Sequence, residues 1–122
     1  MREIPLVAVV DDDESARRAI HGVLKSAGFN VASFLSGEEF LASDDVKRCA
    51  CVITDLKMIG MNGFELQERL AESRPSTAVI FVSAHGDDRT RAQAIKAGAL
   101  KFLDKPFDDD VLIEVVRSAL AE

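Results

Sequence analysis

Polar side chains of the types used in phosphoryl chemistry follow four short apolar segments of this 122-residue sequence. Two aspartates follow the first segment, one aspartate the second, a serine the third, and a lysine lies within two residues of the fourth. If the segments are parallel strands, these side chains meet at one edge of a sheet, where such sheets bind ligands. In chain order the residues are Asp11, Asp12, Asp55, Ser83 and Lys105.

Three carboxylates placed together predict a binding site for a divalent cation. Like charges repel, so at least one carboxyl pKa should rise unless a cation compensates. Magnesium prefers hard oxygen ligands and typically takes one or two carboxylates together with water and phosphate oxygens. Asp12 and Asp55 are expected to bind directly and Asp11 through water, with a main-chain carbonyl just after Asp55 completing the set.

An aspartate carboxylate is also a competent nucleophile toward phosphorus. Asp55 attack on a phosphoryl group would give a labile acyl phosphate, which suits a switch. Lys105 and Ser83 could each hold a phosphoryl oxygen. Catalysis of phosphoryl transfer consists mostly of such positioning and charge stabilisation.

Each of these features has a simpler explanation when it is taken alone. Acidic residues often cap helices, and Asp13 and Glu14 are assigned that role because they complement a helix N-terminus. Agreement of several independent motifs on one sheet edge favours the functional interpretation. A metal-binding role is not expected for His21 or His85, since no second histidine or cysteine has ligand spacing with either.

Size and composition predict one domain spanning residues 1–122, with no output domain inside it. The net charge of −6 argues against direct binding to DNA or RNA. No stretch reaches the length of a membrane span and no secretory signal is recognised, so a cytoplasmic location is expected. The spacing of Cys49 and Cys51 fits neither a redox pair nor a zinc pair, so Cys51 is interpreted as a small apolar strand residue.

Short apolar runs alternate regularly with helical patterns along the chain. Five such pairs predict a parallel α/β sheet covered on both faces. The first helix is expected over 14–27, and the second begins after a cap at Ser36. The third ends at Arg74, the fourth runs from a cap at Asp87 to Lys96, and the fifth follows a cap at Asp108. The Ala-rich fourth helix is weakly amphipathic and should be loosely held. The expected strands are 6–10, 30–35, 51–54, 78–82 and 100–103.

Short motifs that are each weak alone are specific together. They lie at residues 9–13, at Asp55 with Met58 and 61–63, and at 82–84, 97–99 and 105–107. With these motifs the sequence resembles the receiver domain of two-component response regulators, the CheY-like family, over essentially its whole length. The finer likeness, over Glu38 to Leu41 and from His85 to Asp87, is to receivers of FixJ-type transcription regulators. The resemblance implies a flavodoxin-like (βα)5 fold, a doubly wound five-stranded parallel sheet of order 2-1-3-4-5.

This family resemblance also implies roles for individual residues. Asp55 would be the phosphoacceptor, assisted by Lys105, which precedes an expected cis proline, Pro106. Mg²⁺, with Mn²⁺ as an alternative, would be the cofactor. Ser83 and Phe102 would act as the conformational switch. The expected metal ligands are Asp11, Asp12, Asp55 and the main-chain carbonyl of Lys57, while the side chains of Lys57 and His85 would tune the phosphoryl lifetime.

The implied function is a signalling switch rather than an enzyme that turns over an external substrate. A sensor histidine kinase, or a small acyl phosphate, would phosphorylate Asp55, and the domain could hydrolyse its own phosphoryl group. The surface of the fourth helix, fifth strand and fifth helix would then change, controlling a partner, a transcriptional output domain or a homodimer. No contact with a membrane is expected.

One position departs from the family pattern. The family usually has Met-Pro after the phosphoacceptor, whereas Ile59 follows Met58 here. Loss of proline should loosen this loop, and Ile59 could support a partner contact or alter metal binding. A pseudo-receiver that works without phosphorylation is therefore retained as an alternative. A phosphatase of the haloacid-dehalogenase type is disfavoured, because Asp55-Leu56-Lys57 lacks the second acid of an Asp-x-Asp motif.

Overall fold

Five parallel strands form one sheet in the computed structural model, which describes residues 5–84 and 86–121. The sheet order is β2-β1-β3-β4-β5, and every neighbouring pair is parallel. This arrangement confirms the predicted doubly wound, flavodoxin-like fold and its strand order. The strands are β1 Leu6–Val10, β2 Asn30–Phe34, β3 Cys49–Thr54, β4 Ala78–Ser83 and β5 Lys101–Asp104.

Each of the five α-helices begins after a side chain that accepts a hydrogen bond from a main-chain N–H of the first turn. These caps are Asp13, Ser36, Asn62, Asp87 and Asp108, and all of them except Asn62 were predicted from the sequence. Asn62 and Glu65 form a reciprocal capping box. The helices are α1 Glu14–Ser26, α2 Gly37–Ala42, α3 Gly63–Ser73, α4 Asp88–Lys96 and α5 Asp109–Leu120.

The sheet separates two apolar clusters, one on each face. Alternate residues of β1 belong to different clusters: Ala8 and Val10 point to one face, Val7 and Val9 to the other. This period-two division explains why β1 is apolar at every position, as expected for a strand covered on both sides. Buried residues of α2, α3 and α4 complete the first cluster, and those of α1 and α5 complete the second.

The start of β3 differs from the sequence prediction. The strand begins at Cys49 rather than at residue 51, and its pairing with β1 shifts register between Leu6 and Val7. A 3₁₀ helix over Asp44–Arg48, which was not predicted, leads into it. Burial raises the pKa of Cys49 to about 11 and that of Cys51 to about 12, so both are neutral thiols.

Within residues 5–84 and 86–121, no helix is long and apolar enough to cross a bilayer. The longest, α1, has 13 residues, well short of the ~20 that a bilayer core requires.

Candidate functional site

The carboxyl ends of four strands bring the predicted site residues to one edge of the sheet. Asp11 follows β1 directly, Asp55 follows β3, Ser83 is the last residue of β4, and Lys105 follows β5. Their convergence follows from the parallel order, which places all four strand ends side by side. The site prediction and the fold prediction therefore depend on the same alternation of strands and helices.

Lys105 lies between two of the carboxylates. Its Nζ donates hydrogen bonds to Oδ2 of Asp11 and to Oδ2 of Asp55, each at 3.0 Å. Burial alone would lower the pKa of Lys105, but the hydrogen bonds to Asp55 and Asp11, with the charges of both, outweigh it and raise the pKa. The ammonium therefore stays charged and offsets the repulsion between the carboxylates.

Asp11 is the most deeply buried of the three carboxylates, at 1% exposure. Its pKa is raised, chiefly by burial, and the charge of Asp55 is the smallest contributor. A raised carboxyl pKa was expected from repulsion alone, so burial is the cause that the sequence analysis missed. Oδ1 of Asp11 accepts from the main-chain N–H of Asp13 at 2.9 Å, and its carbonyl accepts from Nη1 of Arg17 at 2.9 Å.

The main chain and side chain of Asp55 are both held firmly. Its N–H donates to the carbonyl of Val10 at 3.2 Å, and its carbonyl accepts from Oγ1 of Thr54 at 2.8 Å. Oδ1 accepts from the N–H of Leu56 at 2.6 Å, which turns Oδ2 toward Lys105. At 7% exposure, this carboxylate is a fixed group rather than a freely rotating surface side chain.

Gly63 explains why α3 can begin so close to Asp55. A Cβ at this position would lie 2.4 Å from the Asp55 carbonyl oxygen and 2.7 Å from a ring carbon of Phe81. The N–H of Gly63 donates to the carbonyl of Leu56 at 2.8 Å, which closes the loop between β3 and α3. The glycine of the Met61-Asn62-Gly63 motif is thus required by close packing beneath the site.

Asp12 is arranged differently from the other two carboxylates. It is exposed, and its Oδ2 accepts from the main-chain N–H of Ile59 at 2.9 Å. The absence of proline at position 59 was expected to loosen this loop. Instead, Ile59 has a main-chain N–H, which proline would lack, and this N–H forms a hydrogen bond to Asp12, a predicted metal ligand. Lys57, in the same loop, is exposed.

The donor chemistry of this edge fits magnesium. No cluster of three or more His, Cys, Asp or Glu side chains arranged to hold a metal occurs in residues 5–84 and 86–121. Magnesium does not require one, because it usually takes only one or two carboxylates and keeps several waters. Asp11 and Asp55 share Lys105, and Asp12 is held by Ile59, so two buried carboxylates and one exposed carboxylate lie at this edge of the sheet.

The two predicted switch residues lie beside this carboxylate edge. Ser83 is fully buried, and its carbonyl accepts from the N–H of Lys105 at 3.1 Å. Phe102 is 5% exposed and stacks on Phe81 with ring centroids 5.8 Å apart. The ring of Phe102 is therefore in an inward position, one of the two that the switch hypothesis requires.

Arg91 was missed by the sequence analysis, although it covers Phe102. Its guanidinium carbon lies 5.1 Å from the centroid of that ring, and Nη1 donates to the Phe102 carbonyl at 3.3 Å. Nη2 donates to both carboxylate oxygens of Asp104, at 3.0 and 2.9 Å. No local pattern could have found this contact, because it depends on the packing of α4 against β5.

Two further predictions concern the loops of this edge. The peptide bond between Lys105 and Pro106 is cis, as predicted. His85, proposed to tune the phosphoryl lifetime, lies outside the described residues. His21 lies away from the edge on α1, with Nδ1 2.5 Å from Oγ of Ser33.

Comparison with known proteins gives the same family that the sequence motifs resemble. A family model described as "Response regulator receiver domain" matches residues 7–117. The response regulator protein TmoT of Ectopseudomonas mendocina is 37% identical over 115 residues, covering 94% of this chain and 52% of TmoT. The transcriptional regulatory protein FixJ of Bradyrhizobium diazoefficiens is 34% identical over 116 residues, covering 95% of this chain and 57% of FixJ.

Solved structures agree with the sequence relatives. The crystal structure of FixJ-N superposes with a TM-score of 0.84 at 36% identity and covers 98% of this chain and 94% of FixJ-N. The chain belongs to the family of response-regulator receiver domains, which confirms the resemblance to CheY-like and FixJ-type receivers. It spans about half the length of the curated relatives that it matches.

Receiver domains of this family are signalling proteins of two-component systems. They are phosphorylated by sensor histidine kinases and generally use Mg²⁺ for that reaction. Several relatives of this chain are named as transcriptional regulatory proteins.

Proposed function

We propose that this domain accepts a phosphoryl group on Asp55 from a sensor histidine kinase. The observation that carries the proposal is Lys105 Nζ, 3.0 Å from both Asp11 and Asp55 at the carboxyl edge of the sheet. A carboxylate oxygen of Asp55 would attack phosphorus, the bond from phosphorus to the kinase histidine nitrogen would break, and the electron pair would leave with that nitrogen. The product is an acyl phosphate on Asp55.

The proposed cation site uses the carboxylates of Asp11, Asp12 and Asp55 with the main-chain oxygen of Lys57. Bound Mg²⁺, or Mn²⁺ in its place, supplies positive charge that screens the phosphoryl group from the carboxylates. Lys105, whose pKa is raised, brings a second positive charge to the same place. Its ammonium would exchange one carboxylate partner for a phosphoryl oxygen.

The proposed output is a change in the surface formed by α4, β5 and α5. Ser83 would turn toward the phosphoryl group, and Phe102, now 5% exposed, would change its packing in response. Homodimerisation through this surface, or control of an output domain, would follow. Because relatives are transcriptional regulators, control of transcription is the output we favour. We retain the assignment of residues 1–122 as a single receiver domain, with Lys57 and His85 tuning the phosphoryl lifetime.

Intact mass spectrometry after incubation with acetyl phosphate and Mg²⁺ tests the proposal. Wild type should gain the mass of one phosphoryl group, and Asp55→Asn should gain none. Asp44→Asn is a matched control, because it removes an exposed carboxylate from the 3₁₀ helix that precedes β3, at the opposite end of that strand. EDTA added beforehand should abolish labelling of wild type and of the control.

The possible results separate the competing functions. Labelling of Asp55→Asn to the wild-type level would refute Asp55 as the acceptor. No labelling of wild type in the presence of Mg²⁺ would refute the phosphorylation mechanism and favour the pseudo-receiver. Labelling that persists in EDTA would refute the cation requirement alone.

A further inference from the structure

The main-chain N–H of Ile59 makes a contact that ties two distant segments together. It donates to Oδ2 of Asp12 at 2.9 Å, across 47 positions of sequence. The side chain of Ile59 is 85% exposed, so the backbone rather than the side chain carries the contact. A hydrogen bond to an ionised carboxylate is stronger than one between neutral groups.

The position of this N–H is set by further contacts of the same loop. Two residues later in the chain, the N–H of Met61 donates to Oε2 of Glu38 at 2.9 Å, and Glu38 belongs to α2. The loop then ends where Gly63 donates to the carbonyl of Leu56 at 2.8 Å. The donor is therefore presented to Asp12 by a segment anchored to α2 and to its own start.

The hydrogen bond leaves Asp12 able to bind a cation. A carboxylate has about four lone-pair sites over two oxygens, so one donor on Oδ2 leaves Oδ1 available. Asp12 is exposed, and its side chain would otherwise sample several rotamers. A main-chain donor restricts those rotamers without the entropy cost of ordering a second side chain.

We propose that the main-chain N–H of Ile59 is a positioning group that orients the Asp12 carboxylate for Mg²⁺. This inference rests on the proposed function, because it presupposes the cation site. Hydrogen-bond partners of metal-ligating carboxylates typically contribute 10–100-fold to metal affinity. Binding of Mg²⁺ to Asp12 should in turn order the loop that carries Ile59, since the same hydrogen bond connects them.

Two substitutions at one position separate the backbone donor from the side chain. Ile59→Pro removes the N–H, whereas Ile59→Ala keeps it and removes only the exposed part of the side chain. Calorimetric titration with Mg²⁺ alone should show that Ile59→Pro binds at least about ten-fold more weakly than Ile59→Ala. Equal affinity of the two variants, or tighter binding by Ile59→Pro, would overturn the inference.

Amide hydrogen exchange on the unmodified chain tests the same proposal if Ile59→Pro fails to fold. Exchange of the Ile59 N–H should slow when Mg²⁺ is added, because the hydrogen bond persists and the loop becomes ordered. Faster exchange would show that Asp12 abandons Ile59 for the ion, and would refute the positioning role. If wild type binds no Mg²⁺ at all, the cation site of the proposed function is refuted as well. If wild type binds Mg²⁺ but the two variants bind it equally, only the positioning role of Ile59 is refuted.

Discussion

Individual residues at the carboxyl edge could be predicted because each one ends a strand. Asp11, Asp55, Ser83 and Lys105 follow apolar runs that are readable without a structure, and the fold places their strand ends together. The contacts of Ile59 with Asp12 could not be predicted, because they depend on the conformation of the loop between β3 and α3. Residue types thus located the site, while its hydrogen bonding required coordinates.

Gly86 packs so closely against Phe102 that a side chain there would clash, a constraint that the sequence does not reveal. A Cβ on Gly86 would lie 2.3 Å from Cε1 and 2.6 Å from Cζ of Phe102. Gly86→Ala should therefore displace the buried ring and lower the free energy of unfolding by about 1–3 kcal/mol, the usual cost of overpacking. Urea denaturation measures this change, and the aromatic proton shifts of Phe102 report the displacement.

A second glycine provides the control for this substitution. Gly22 is exposed in α1, and a Cβ there would meet nothing within 4 Å. Gly22→Ala should raise the free energy of unfolding by about 0.5–1 kcal/mol, because alanine favours the helix. If Gly86→Ala proved as stable as wild type, the contact between Gly86 and Phe102 would not constrain the ring.

Among the five α-helices, α4 buries the fewest residues. Ala94 is its only buried residue, which agrees with the weak amphipathic pattern read from the sequence. The ion pair of Arg91 with Asp104 adds a link to β5, but both side chains are partly exposed, so it contributes at most about 1 kcal/mol. An element with few buried contacts opens at low free-energy cost, as expected of a switch region.

The start of α4 should be sensitive to acid. Asp87 accepts from the N–H of Thr90 at 2.8 Å, and this hydrogen bond is the main reason that the pKa of Asp87 is lowered from 3.8. Because the folded pKa is the lower one, the capping contribution is complete above pH 3.8 and is lost as pH falls through the folded value. Exchange of the Thr90 amide, followed by NMR, should accelerate across that acidic range.

Asp87→Asn tests whether ionisation is the cause. Asparagine keeps an oxygen that can accept a hydrogen bond from Thr90, and its side chain is neutral, so acid does not change its charge. The variant should show no step in Thr90 exchange that follows carboxyl titration. A step of wild-type size in Asp87→Asn would place the acid sensitivity elsewhere in the helix or its surroundings.

At the scale of the whole molecule, the two apolar clusters share one sheet and should unfold together. Most of this organisation was predictable, because apolar periodicity reports which faces are buried. The 3₁₀ helix over Asp44–Arg48 and the early start of β3 were not, since that polar stretch carries no periodic signal. The layers of the fold could therefore be predicted from the local sequence pattern. The connection that leads into β3 could not, because it depends on tertiary packing.

Removal of buried volume from α5 tests this coupling. Leu112 is fully buried in the cluster that also contains α1 residues, whereas its neighbour Val111 is 43% exposed. Leu112→Ala should lower the free energy of unfolding by about 2–5 kcal/mol. Val111→Ala should change it by no more than about 0.5 kcal/mol.

Two probes on opposite faces would show whether unfolding is cooperative. Urea transitions monitored by the NMR signals of Phe81 and of Ile80, which lie in different clusters, should coincide in Leu112→Ala. Separate transitions would show that the sheet faces unfold independently.

The position of β5 at the end of the sheet restricts how another protein can bind there. This edge strand has only four residues, and its first and last, Lys101 and Asp104, are exposed and charged. Short edge strands that carry charges discourage the addition of a strand from another chain. A partner at this surface is therefore expected to contact the side chains of α4, β5 and α5 rather than the main chain of β5, and two bound copies would keep separate five-stranded sheets rather than form one continuous sheet.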